Sequence, residues 1–134
     1  MQKDWTGNSN SIFKTLGSSQ HSEHERQVND YYATEPKAIK LLLNLETFSP
    51  NIWECACGEG HLSKVLESAG YQVKSSDLID RGYGEKGINF LDPKIEIWNG
   101  DIITNPPYIF AKEFIVKALS IVPEGFKVAM FLKV

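Results

Sequence analysis

The stretch Asn51-Ile52-Trp53-Glu54-Cys55-Ala56-Cys57-Gly58-Glu59-Gly60-His61-Leu62 decides how the chain folds. Its first six residues form a short apolar run with β-branched and aromatic side chains, as in a buried strand. Gly58 and Gly60 break that run, and 61–69 then reads as a helix that Gly70 ends. A strand, a glycine turn and a helix in this order form the opening unit of a parallel sheet.

The rest of the chain extends the same alternation. Upstream, Thr34 can cap a helix that starts at Glu35-Pro36 and puts Ile39, Leu42 and Leu43 on one face, predicted over 35–46. Downstream, 71–76 reads as a second strand with Asp77 just past its end, followed by the loop Arg81-Gly82-Tyr83-Gly84. A third strand is predicted at 95–98, a fourth at 101–104, a helix at 111–121 and a fifth strand at 126–134. The fold class is α/β, a parallel sheet flanked by helices. Residues 1–28 are rich in Ser, Asn, Gln, Gly and His and read as a polar N-terminal arm, which leaves 29–134 as the folded domain.

Composition narrows the function classes. The 134 residues suffice for one domain, with 42% hydrophobic and 23% charged residues, as in an ordinary packed globular protein. Fourteen Lys plus Arg against 17 Asp plus Glu give a net charge of -3, so no general field draws the chain to a polyanion. The longest apolar stretches, near 41–45 and 128–134, fall far short of the roughly 20 residues that span a bilayer. With no membrane segment and no signal-peptide pattern, the expected location is the cytoplasm. Cys55 and Cys57 stand two apart, where a strand points them to opposite faces, so free thiols in small core positions are expected. His21 and His24 lie near Glu23 and Glu25, but no further ligand joins them; the expectation is a solvated arm and no metal site.

Two motifs carry chemistry. In Glu54-Cys55-Ala56-Cys57-Gly58-Glu59-Gly60, the glycines allow close backbone approach, and Asp77 lies where an acidic residue can accept hydrogen bonds from ribose hydroxyls. Ser63 stands where a dinucleotide fingerprint would have its third glycine. Glu54 would repel a pyrophosphate but suits a cationic amino group. A cofactor with a ribose and an ammonium fits, and S-adenosylmethionine has both; a Gly-x-Gly turn alone also fits a plain tight turn. The second motif, Asn105-Pro106-Pro107-Tyr108, follows the fourth strand. Its prolines fix two φ angles and hold Asn105 and Tyr108 in a rigid relation. The Asn105 side-chain oxygen and the Pro106 carbonyl could accept both hydrogens of a planar amino group, with Tyr108 stacked on the ring that bears it.

Together these motifs resemble those of the S-adenosylmethionine-dependent N6-adenine DNA methyltransferases. The stretch Asn29-Asp30-Tyr31-Tyr32-Ala33-Thr34-Glu35-Pro36 is similar to the N-terminal region of small phage and prophage members. The resemblance implies a Rossmann-like methyltransferase fold and a cytoplasmic setting in a bacterial or phage-infected cell. It also implies that Tyr32 and Thr34 wrap the methionine part of the cofactor, and that Glu54, Ala56, Cys57, Gly58 and Gly60 line it. Asp77 with Leu78 would hold the ribose, and Asn89 with Phe90 would meet the adenine. Asn89 stands where the family often has Asp. The implied reaction flips an adenine out of duplex DNA and transfers a methyl group to its N6, with Asn105, Pro106, Pro107 and Tyr108 as the catalytic set.

The family's sheet has seven strands in the order 3-2-1-4-5-7-6, and the fifth is the last that this sequence supplies. The expectation is a catalytic portion lacking the last two strands and the DNA-recognition region, with a hydrophobic edge strand open to self-association. Two alternatives stand beside it: a methyltransferase acting on a protein glutamine amide, and a non-catalytic remnant that still binds S-adenosylmethionine.

Overall fold

The computed structural model describes residues 33–133. Tyr31, Tyr32 and the polar arm lie outside them. The order of elements is α1 (Pro36–Leu45), β1 (Asn51–Glu54), α2 (His61–Ser68), β2 (Gln72–Ser75), β3 (Asp101–Thr104), a 3-10 turn (Tyr108–Phe110), α3 (Ala111–Ile121) and β4 (Val128–Met130). All strand pairs are parallel, and the spatial order is β2-β1-β3-β4.

The pleat sorts neighbouring residues into two cores. Trp53 and Ile102 face one side with Phe90, Phe114, Ala118 and Ile121, so α3 covers that face. Ile52 and Ile103 face the other with Ile39, Leu62 and Leu66, covered by α1 and α2. The paired apolar residues at the centre of β1 and of β3, Ile52-Trp53 and Ile102-Ile103, follow from burial on both faces. Trp53 meets Phe90 edge-on at 5.2 Å between ring centres, and Phe90 lies 5.1 Å from Phe114. This aromatic chain anchors the segment before β3 to the α3 side.

The predicted third strand at 95–98 does not form. Trp98 donates its backbone N–H to Ile121 O at 2.9 Å and its indole N–H to Asp101 O at 2.8 Å, while the Lys117 ammonium grips Asp92 O at 2.7 Å. The segment is thus fastened to α3 and the start of β3 instead of a sheet edge, and Ile97 stays exposed. Beyond β2 the sheet continues, among the described residues, as a single parallel bridge between Ser76 and Glu85. Gly82, Gly84 and Gly87, all at positive φ, prevent an extended run there.

Other boundaries shift by smaller amounts. The first helix begins at Pro36 with Glu35, not Thr34, at its N-cap, and no side chain caps it. β1 ends at Glu54, before Cys55 and Ala56 turn into the glycine loop. The last strand shrinks from the expected 126–134 to Val128–Met130. Val128 and Met130 pack toward the α3 side, and Ala129 toward the other. No helix among the described residues is long and apolar enough to cross a membrane.

Candidate functional site

The chain steps from β1 outward to β2, then returns to place β3 on the opposite side of β1. At such a reversal the loops leaving the two central strands diverge and open a crevice at their C-terminal ends. Glu54 ends β1 and Thr104 ends β3, so the crevice opens between the two sequence motifs. Two hollows lie there and share Ala56.

The polar hollow is bordered by Thr34, Glu54, Ala56, Cys57, His61 and Asn105 and encloses about 220 Å³, counting solvent at its mouth. Glu54 is 1% exposed. Its Oε2 accepts the Thr104 hydroxyl at 2.7 Å and its Oε1 the Ser63 hydroxyl at 3.1 Å; Ser75 in turn donates to Ser63 at 2.7 Å. Burial pushes its pKa up to about 8 against the opposing pull of the Thr104 and Ser63 hydrogen bonds, with the Asp77 charge adding to the rise. The expectation of a carboxylate standing ready for a cation is therefore modified: near neutral pH the carboxyl is mostly protonated, and an arriving cation would have to ionise it.

The Asn105 side chain reaches the same hollow and donates from Nδ2 to Thr34 Oγ1 at 3.1 Å. Here the Thr34 hydroxyl serves the Asn-Pro-Pro-Tyr element, which explains why it does not cap α1. Pro106 is fully buried, Pro107 borders the second hollow, and Tyr108 opens the 3-10 turn.

The second hollow is mostly apolar and encloses about 340 Å³, again counting its mouth. Ala56, Leu78, Ile88, Phe90, Pro107 and Phe110 are among its walls, with Asp77 and Asn89 as polar groups. Asp77 accepts the Gly58 N–H at 2.8 Å on Oδ2 and the Ile79 N–H at 3.0 Å on Oδ1. A carboxylate has about four lone-pair sites, so two remain for a ligand. Asn89 Oδ1 accepts the Leu91 N–H at 3.0 Å, while its Nδ2 is buried without a partner. Such an orphan costs about 1–3 kcal/mol unless a ligand satisfies it.

The glycine loop is held from outside as well. A Cβ on Gly60 would stand 2.5 Å from the Tyr83 ring, and its φ of +90° already disfavours any other residue. Gly60 is thus required by its backbone conformation and by the Tyr83 ring packed over the loop. Both cysteines are free and buried; burial raises both thiols, Cys57 to about 12, which makes them inert packing groups. No cluster of potential metal ligands occurs among the described residues.

Of the residues that the sequence singles out, Thr34, Glu54, Ala56, Cys57, Asp77, Leu78, Asn89, Phe90, Asn105 and Pro107 border the two hollows, whereas Gly58, Gly60, Pro106 and Tyr108 are not among their walls and Tyr32 lies outside the described residues. Sequence reading missed the hydroxyls of Ser63, Ser75 and Thr104 and the packing of the Tyr83 ring against Gly60. Their partners lie 9 to 50 residues away for the hydroxyls, and no local pattern announces such meetings. No protein-family model, curated protein sequence or solved structure matches the chain.

Proposed function

We propose that the crevice binds S-adenosylmethionine and that the chain is the cofactor-binding and catalytic portion of an N6-adenine DNA methyltransferase. One observation carries the reading: a buried carboxyl, a carboxylate with spare lone pairs, an apolar slot and the Asn105 amide all converge on one switch point. The donor set suits this cofactor part by part. Glu54 would face the ammonium, Asp77 would accept from the ribose hydroxyls, and the slot beside Asn89 and Phe90 would take the base. In this reading the sheet order β2-β1-β3-β4 corresponds to 2-1-4-5 of the Rossmann-like methyltransferase sheet.

When bound, the sulfonium supplies an electrophilic methyl group. The chain's own residues prepare the nucleophile, an exocyclic amine whose lone pair is delocalised into its ring. Asn105 and the Pro106 carbonyl would accept its two hydrogens and return electron density to nitrogen. Tyr108 would stack on the ring and fix its approach. Thr34, by accepting from Asn105 Nδ2, fixes the orientation of that amide. DNA is the proposed partner, and the outer edge of β4, which pairs with no strand among the described residues, is proposed to take a strand from a second copy.

Calorimetric titration with S-adenosylmethionine tests the first half of this reading: micromolar binding is expected, and a folded sample that does not bind refutes it. For the second half, Asn105→Ala should abolish methyl transfer to adenine-containing DNA while changing cofactor affinity less than about threefold. Unchanged transfer in that variant would overturn the assignment.

A further inference from the structure

Gly60 is buried, and the Tyr83 ring lies over it. Further contacts hold Tyr83 in place: its hydroxyl donates to Glu67 Oε1 at 3.1 Å, the Lys64 ammonium lies 5.2 Å from its ring centre, and its carbonyl accepts the Cys57 thiol at 3.5 Å. Lys64 and Glu67 belong to α2, and Cys57 borders the polar hollow. One residue thus joins its own loop, 78–87, to the glycine loop and to the helix that follows it. The loop is closed at its base, where Asp77 donates to Glu85 O at 2.9 Å and Ile88 to Asp77 O at 3.1 Å. Both feet, Asp77 and Ile88, border the apolar hollow.

The glycine loop needs such support. Gly58 and Gly60 both stand at positive φ, and no side chain caps α2, so much backbone freedom has to be fixed from elsewhere. On one side the Gly58 N–H is tied to Asp77 Oδ2 at 2.8 Å. On the other the Tyr83 ring presses on Gly60.

We propose that Tyr83, which borders neither hollow, is a positioning residue of the crevice: its ring holds the glycine loop in the shape that binds the cofactor, so that loop 78–87 and the cofactor order one another. The inference rests on the reading of the crevice as an S-adenosylmethionine site and adds a residue that acts on that site through Gly60. A loop that samples other shapes binds only in its competent fraction, and the apparent affinity falls with that fraction. The coupling is reciprocal, because whatever the ring adds to binding the cofactor adds to the order of the ring's own loop. A residue that served stability alone would leave affinity unchanged as long as the chain stays folded.

The test has two arms. Calorimetric titration with S-adenosylmethionine, under conditions where circular dichroism shows each variant folded, should find Tyr83→Ala weaker than wild type by about tenfold or more and Tyr83→Phe, which keeps the ring, within about threefold. Hydrogen exchange of the wild-type chain, which needs no variant to fold, should show the amides of 81–84 slowed about fivefold or more by saturating S-adenosylmethionine, with those of the turn at 124–126 within about twofold. A folded Tyr83→Ala that binds like wild type, a Tyr83→Phe that loses as much as Tyr83→Ala, or exchange at 81–84 that the cofactor does not change would overturn the role of Tyr83 while leaving the cofactor site standing. A folded wild-type chain that does not bind S-adenosylmethionine would overturn both.

Discussion

Thr104 donates its hydroxyl to Glu54 Oε2 across 2.7 Å, so the carboxyl that ends β1 is held by the residue immediately before Asn105. The proposed cofactor acid and the proposed catalytic amide are thus tied to one rigid junction of adjacent strands. Any change in the ionisation of Glu54 is felt at the base of the Asn-Pro-Pro-Tyr element.

Stability should depend on pH through this carboxyl. Its pKa rises from 4.5 to about 8 on folding, so between those values the folded state holds a proton that the unfolded state has lost. The Glu54 contribution is therefore fully present below about pH 4.5, is lost progressively as pH rises to about 8, and is level above. Denaturant unfolding of wild type and Glu54→Gln from pH 5 to 9 should show the wild type losing stability relative to the variant, by on the order of several kcal/mol. Parallel curves would mean that Glu54 is ionised throughout.

Cation binding should draw on the same proton. If an ammonium pairs with Glu54, the carboxyl must ionise, so S-adenosylmethionine affinity should increase with pH up to about 8 and binding at pH 7 should release close to one proton. Calorimetry in two buffers of different ionisation enthalpy measures that release directly. A pH-independent affinity would remove the ammonium from Glu54.

Asp77 has two tasks, and Asp77→Asn separates them. The variant keeps one acceptor oxygen for the glycine loop but lacks the charge that would favour ribose hydroxyls. Cofactor affinity should fall by about 1–3 kcal/mol, with a smaller loss in unfolding free energy. Equal affinity would place the ribose elsewhere.

Gly60→Ala should destabilise the fold by roughly 1–3 kcal/mol from positive φ alone, with further loss from contact with the Tyr83 ring. In a Tyr83→Ala background the contact part should vanish, so the two substitutions should be less than additive by thermal or chemical denaturation. Full additivity would show that Tyr83 yields without cost.

Local chemistry was readable where one short segment carried its own instructions. The helix at 111–121 and the strand at 101–104 stand where periodicity and the following prolines put them. The helix predicted at 61–69 runs from His61 to Ser68, and Gly70 at positive φ ends it. The segment 95–98 differs from the expectation because its alternating side chains suit a strand, whereas the Trp98 N–H finds its partner on α3, distant in sequence, and the Ile95 N–H turns back to Asp92 O. Thr34 was misread for the same reason: a cap is a local option, and Asn105, 71 residues away, competes for the same hydroxyl.

The sequence by itself determined the α/β alternation, the glycine turn and the rigid Asn-Pro-Pro-Tyr turn. Each of these depends on side-chain type and spacing within a dozen residues. Only the tertiary structure decided that Glu54 is buried among hydroxyls and mostly protonated, that the Tyr83 ring packs over Gly60, and that the Asn89 Nδ2 is buried without a partner. Those properties depend on what surrounds a group once β1 and β3 lie side by side, and solvent exclusion and hydrogen-bond partnership are set by that neighbourhood and not by the chain's local order.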